Sequence, residues 1–385
     1  MSAQLGAITS VNSLIGKVFR QPRGDFADRL NSLYTVCVLA VSSGLLLSSH
    51  YWGKPITCWT PAEFNGIWTD FVNQYCYVHG TYFYQIDGPV TFDTEERQRV
   101  FIRYYQWIPY IIALQALLFY IPRFMMRIMC AWSGYDLSST IQYIDDIWHQ
   151  IKSANFSNRV DSFEKIGAVY IIDGLALFKR KNRGSIGFYY SFYAVLQALN
   201  AWIQFVFLNA LISSSTTNQS GWHVISDLIS GADWQTTGHF PRITHCDFQR
   251  RKPASVQWDT VLCVLTLNIY YEKLLIFLYF WILLVAIIST CHAFYWGVIC
   301  WCTQARIKNE LRSFLIVHGK SPQVDRFFKI LGHDGIFILH QISLNIGDLA
   351  ASYLSLAMLN TIEKNGSGGE EEQKLLLEKG EAKYV

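Results

Sequence analysis

The stretch YYQWIPYIIALQALLFYIPR runs from Tyr104 to Arg123 and holds no charged side chain between Arg103 and Arg123. Crossing a bilayer as a helix takes ~20 mostly apolar residues, and this run supplies them. One end carries Tyr104, Tyr105, Trp107 and Tyr110, whose rings combine an apolar body with a polar tip and suit the headgroup boundary. The other end closes on Tyr120, Pro122 and Arg123. The segment therefore reads as a membrane span with a direction.

The rest of the chain has the same character. Of its 385 residues, 51% are hydrophobic and 16% charged, where a soluble chain carries about a quarter charged residues. Charge is also missing from Leu30 to Gly53, from Gly184 to Ser226 and from Leu274 to Ala305. Trimming polar edges predicts four helices, at 34–52, 104–127, 187–212 and 274–298.

Basic residues orient these helices. Lys17, Arg20, Arg23 and Arg29 precede the first, and Arg123 and Arg127 close the second. Lys179, Arg180, Lys181 and Arg183 precede the third, and Arg306, Lys308 and Arg312 follow the fourth. Arg97, Arg99 and Arg103 weigh the other way but are fewer, so the positive-inside rule puts both termini in the cytoplasm. Residues 1–33 and 128–186 are then internal, and the loops 53–103 and 213–273 face outward. Residues 299–364 read as packed cytoplasmic helices, because Asp334, Gln341, Asn345 and Asp348 interrupt their apolar runs, and 365–385 as a flexible tail. No cleavable signal peptide is expected, since the first 30 residues lack an apolar core with a small-residue cleavage site.

Cysteine placement agrees with this topology. Of nine cysteines, Cys58 and Cys76 fall in the first outward loop and Cys246 and Cys263 in the second. An even set on the oxidising side reads as two disulfides, with three connectivities open. GHFPRITHCDF gathers His239, His245, Cys246 and Asp247, but the spacing matches no zinc pattern, so no metal site is expected. No nucleophile elbow, phosphate loop or carboxylate pair is present, so neither enzyme activity nor a cofactor is expected. Nothing points to nucleic acid. Asn218 heads the only outward-facing N-glycosylation sequon.

Several stretches are similar to one family. YYQW followed by Ile-Pro resembles the signature of the innexins, the invertebrate gap-junction proteins, which are related to the pannexins. PRGDFADRL before the first helix, PITCWTP after it and FVNQYCYVHGTYF in the first loop share the resemblance. So do the long run from DWQTTGHFPRITHCDF into the fourth helix, and LGHDGIFILHQISLNIGDLA in the tail. The resemblance implies bridges Cys58–Cys263 and Cys76–Cys246, a gating role for a kink at Pro109, and an N-terminal segment folded into the channel mouth as a funnel. Long closed loops gain most from cross-links, which would make a rigid outer rim.

A pore needs polar groups inside the membrane. Thr35, Ser42 and Ser49 recur every seven residues and share a face of the first helix. Gln197, Asn200 and Gln204 do likewise in the third, where hydrogen bonding between helices is the preferred reading. In the N-terminal segment Gln4, Thr9 and Asn12 lie largely off an apolar face made by Leu5, Ile8, Val11, Ile15 and Val18. These residues and the first-helix set are the pore-lining candidates. No Asp, Glu, Lys or Arg lies near the middle of any helix, which disfavours proton relays and voltage sensors and suits a wide, poorly selective pore.

The expected fold is an all-α membrane protein with four transmembrane helices, a disulfide-bonded extracellular domain containing some β structure, and a helical cytoplasmic domain. The expected function is that of a gap-junction subunit in the plasma membrane. Six to eight copies, with eight preferred, would form a hemichannel, alone or with other innexin subunits. That hemichannel would dock onto one from the neighbouring cell. The alternatives are an undocked, pannexin-like release channel and a four-helix adhesion protein without a pore.

Overall fold

The computed structural model describes residues 24–84, 93, 98, 100–181, 184–213, 221–231, 239–302, 304–320 and 323–381. In chain order, α1 (Phe26–Trp52) leads to β1 (Ile56–Trp59), α2 (Gly66–His79), β2 (Thr81–Tyr82) and β3 (Phe101–Ile102). A single 3-10 turn, Tyr104–Gln106, precedes α3 (Ile108–Ser133). Then come α4 (Leu137–Ile151), α5 (Phe156–Ser162), α6 (Val169–Lys181), α7 (Ile186–Ile212) and α8 (Gly221–Ser230). The strands β4 (Ile243–Lys252) and β5 (Ser255–Leu265) run into α9 (Thr266–Cys302), followed by α10 (Gln304–Val317), α11 (Val324–Asn345) and α12 (Asp348–Glu381).

Four helices among the described residues, α1, α3, α7 and α9, are long and apolar enough to cross a membrane. They coincide with the four predicted runs but differ at their ends. The fourth begins at Thr266 rather than 274, directly after β5, and its 37 residues reach about 55 Å, beyond what the hydrocarbon core requires. Charge at Glu272 and Lys273 is tolerated there because Glu272 pairs with both Lys273 and Arg242.

The second helix begins at Ile108, not 104, and this corrects the reading of Pro109. Proline in a first turn removes an N–H that has no intrahelical acceptor, and its fixed φ suits the helix start, so Pro109 costs the helix no hydrogen bond there. The proline in the helix interior is Pro122.

The chain divides into two compact units. The sheet unit takes in residues 30–121 and 197–289. Its five-stranded antiparallel sheet has the order β1-β5-β4-β2-β3, built around the β4–β5 hairpin. One continuous core holds Val72 of α2, Ile56 and Leu265 of the strands, and helix residues such as Leu39, Ile112, Leu208 and Leu278. The helical unit takes in residues 1–29, 122–196 and 290–385. Its core collects Ile144, Phe163, Ile171, Leu315, Phe328, Ile338 and Leu354. The amphipathic face of α4, with Leu137, Ile141, Ile144 and Ile147 buried, is a clear case of helical spacing producing one packed stripe.

Helix α11 consists of two segments joined at Gly332, whose φ of 71° favours glycine. Lys179 Nζ donates to Ile330 O at 2.9 Å and so caps the end of the first segment. Two residues beyond the joint, Asp334 accepts from Ser185 Oγ at 2.6 Å and from Ile186 N at 2.9 Å, capping the N-terminus of α7. Replacing Asp334 with alanine is expected to cost about 1–2 kcal/mol, the usual worth of a cap. Thermal unfolding of the purified protein measures it, and an unchanged midpoint would show that water replaces the cap at no cost.

Candidate functional site

Two bridges lock the sheet unit. Cys58 on β1 lies directly opposite Cys263 on β5, and the two are bonded. Cys76, in the last turn of α2, is bonded to Cys246 on β4. The sulfurs of Cys58, Cys76 and Cys263 lie within 4.8 Å of one another. Being oxidised in S–S bonds, they offer no thiolates to a metal. All four cysteines are buried.

Polar side chains brace the surrounding chain. Tyr82 Oη donates to Asp247 Oδ1 at 2.8 Å, and Thr260 Oγ1 donates to the same oxygen at 2.7 Å. Gln106 Nε2 donates to Tyr77 O at 2.6 Å and Tyr105 Oη donates to it at 3.0 Å. Thus the YYQW motif ties the start of α3 to the end of α2. On the rim, Trp59, Val256 and Trp258 are exposed.

Two histidines make this unit acid-sensitive. Burial lowers the pKa of both His239 and His245, outweighing the opposite pull of Asp227 and Asp247. His245 Nδ1 is buried without a partner among the described residues, so a proton added there would be a donor with no acceptor. Because the folded pKa lies below the unfolded value near 6.5, the unfolded chain binds protons first as pH falls. Stability is therefore complete above the unfolded pKa and is lost as pH drops from there through the folded one. A melting temperature that falls between pH 7.5 and 5.5, with a shallower slope in His245→Gln, is the expected result; parallel slopes would reject it.

Within a single chain, Thr35 and Ser42 of the first-helix candidates are covered, at 0% and 7% exposed. Thr35 Oγ1 donates to Leu30 O at 2.7 Å and accepts from Trp281 Nε1 at 3.2 Å. Their companion Asn31 donates to Ser289 Oγ at 2.7 Å. Ser49 donates to Leu45 O, closing on its own helix. Thr35 and Asn31 thus tie α1 to α9, as interhelical hydrogen bonds do where no water competes. The face that α1 leaves exposed instead carries Tyr34, Cys37, Val41, Gly44, Leu45 and Ser48. Near Pro109, Ser43 Oγ donates to its carbonyl at 2.9 Å, which fixes α1 against α3. In the third helix, Gln197 and Gln204 are buried. Gln4, Thr9, Asn12 and Asn218 lie outside the described residues.

A cluster in the helical unit was not singled out by residue type. Asp25, inside PRGDFADRL, accepts from Trp296 Nε1 at 2.7 Å and lies 3.1 Å from His292 Nε2. Asp28 accepts from Tyr193 Oη. The two carboxylates thus tie the start of α1 to α9 and α7. The spacing of the motif shows two acids three residues apart at a helix start, but their partners lie at least 165 positions away and leave no local signal.

Comparison with known proteins agrees with these features. The innexin family profile matches residues 24–362. The chain is 53% identical to Innexin-6 of Caenorhabditis elegans over 364 residues, covering 94% of this chain and 93% of that protein. It is 31% identical to Innexin unc-9 of the same species, over 89% of this chain and 93% of the relative. It is also 29% identical to Innexin-19 of Caenorhabditis briggsae, over 89% and 87% respectively. A profile spanning nearly the whole chain, with four apolar helices and two bridges, places this protein in the innexin family.

Proposed function

We propose that this chain is a gap-junction channel subunit of the plasma membrane. Several copies surround one pore, and the resulting hemichannel docks onto another from an adjacent cell to pass ions and small molecules. The observation that carries the docking half is the doubly bridged sheet unit with Trp59, Val256 and Trp258 exposed on its surface. A surface already rigid loses little ordering entropy on contact, so a modest area suffices. In this reading the sheet unit is extracellular and both termini are cytoplasmic, as the basic flanks suggest.

For the pore, the exposed α1 face through Val41, Gly44 and Ser48 replaces Thr35 and Ser42 as the lining, joined by Gln4, Thr9 and Asn12 of the N-terminal segment. The uncharged middle of each long helix fits weak selectivity. The Asn218-Gln-Ser220 sequon favours the undocked alternative, since a glycan attached there would stand in the way of a facing hemichannel.

Electrical coupling between paired cells, measured beside whole-cell current in single cells, tests the proposal. Junctional conductance lost on Cys58→Ser or Cys246→Ser is the expected result. Current in single cells without coupling would move the reading to an undocked channel. Adhesion with no current in either arrangement would reject the pore.

A further inference from the structure

Within the helical unit a cavity of about 460 Å³ opens beside the last turns of α3. Its wall includes Arg123 and Arg127, one helical turn apart, together with Ser138, Gln142, Tyr193 and Gln341. Gln341 is fully buried, and its Nε2 has no acceptor among the described residues. A buried amide donor without a partner costs about 1–3 kcal/mol, so a cavity that it lines calls for an acceptor.

The acids at the cavity are already committed. Asp136 accepts from Ser138 N at 3.0 Å, Ser139 N at 3.3 Å and Ser139 Oγ at 2.6 Å, so it caps α4 itself and the helix end is not an open anion site. Asp28 accepts from Tyr193. Arg123 and Arg127 also make contacts within the protein. Each guanidinium carries five N–H donors, so such contacts leave capacity for a further acceptor.

Depth identifies the class of ligand. At 1.5 Å per residue, Arg123 and Arg127 lie about 22 and 28 Å along α3 from Ile108. With a hydrocarbon core ~30 Å thick, Arg127 lies at its edge and Arg123 about 8 Å inside it, within snorkelling reach of the headgroups of that leaflet. On the adjoining row of the same helix Phe124 and Ile128 are exposed, at about 24 and 30 Å on the same scale. One helix thus offers a row of phosphate-binding donors beside a row of apolar side chains, the two halves of an amphiphile.

We propose that this cavity binds the phosphate of a glycerophospholipid, held by Arg123, Arg127 and Gln341, with an acyl chain entering the bilayer past Phe124. Arginine matches phosphate with paired N–H donors, and such charge-assisted bonds are about twice as strong as neutral ones. The proposal rests on α3 crossing the bilayer and is independent of whether the protein docks or conducts.

The test is phospholipid retention by the full-length protein, purified in mild detergent and examined by native mass spectrometry after graded delipidation and add-back of phosphatidylserine or phosphatidylcholine. The wild type is expected to keep a phospholipid that Arg127→Gln and Gln341→Leu each release about tenfold more readily. Gln341→Leu removes the donor while filling the space, and an unchanged elution profile shows that the variant is folded. Equal retention in wild type and both folded variants would overturn the site. Displacement of the bound molecule by millimolar inorganic phosphate or ATP would overturn the lipid as its occupant.

Discussion

Replacing Cys76 with serine is expected to destabilise the sheet unit by about 4 kcal/mol while leaving Cys58–Cys263 in place. The estimate follows from which loop each bridge closes. With Cys58–Cys263 intact, Cys76–Cys246 closes a ring of about 35 residues, from 58 to 76 and from 246 to 263, rather than the 170 that separate its own cysteines. Removing both bridges reopens the long loop as well and adds about 5 kcal/mol. For a unit of this size the single change should lower the melting temperature by roughly 10 °C. Thermal stability of the solubilised protein, with and without reductant, measures it. An unaltered midpoint in Cys76→Ser would mean that strand pairing and the shared core hold α2 against the sheet without covalent help.

Replacing Asp25 with alanine is expected to cost about 2–3 kcal/mol, because it removes a charged acceptor at a buried site. Trp296 is almost fully buried, and its indole N–H would be left with no acceptor. Asp25→Asn keeps an oxygen toward Trp296 and should lose less. Trp296→Phe removes the orphaned donor, so Asp25→Ala combined with Trp296→Phe should lose less than the two single changes add up to. If the double variant shows simple additivity, the two side chains are not coupled and the contact between them carries no weight. In the channel reading, this cluster fixes the start of α1, so Asp25→Ala should also reduce conductance. A melting curve alone would not show that.

The solvent of each segment was legible from local composition. An uncharged run of membrane length has few other stable homes, because a helix satisfies its own backbone hydrogen bonds where water cannot. Hence the four runs match the four long helices. Their ends were less legible. The predicted start of the second helix at Tyr104 placed Pro109 a turn too deep. Tyr104, Tyr105 and Gln106 head the uncharged run, yet they form a 3-10 turn in which Tyr105 and Gln106 bond to the Tyr77 carbonyl of α2. The fourth helix begins before its apolar run because Leu267 and Tyr271 pack in the core of the sheet unit, where burial by protein substitutes for burial by lipid.

Periodicity told which residues share a face but not what that face meets. Thr35, Ser42 and Ser49 do lie on one side of α1, and the same pattern serves a water-filled pore or a helix seam. Only the positions of Trp281, Ser289 and Pro109 in space show that this side is largely a seam. The cysteines follow the same logic. Their number and placement pointed to two bridges, while residue counts alone left three pairings open. In the folded chain, strand register sets Cys58 opposite Cys263, a relation between residues 205 positions apart. By itself, then, the sequence determined how many runs are long and apolar enough to cross the membrane and which loops carry the cysteines, since these depend on runs of neighbouring residues. Tertiary structure alone decided which face of each helix is covered, where Asp25 and Asp334 are anchored and how Arg123, Arg127 and Gln341 come to line one cavity. Those outcomes depend on contacts between distant segments, which no local pattern encodes.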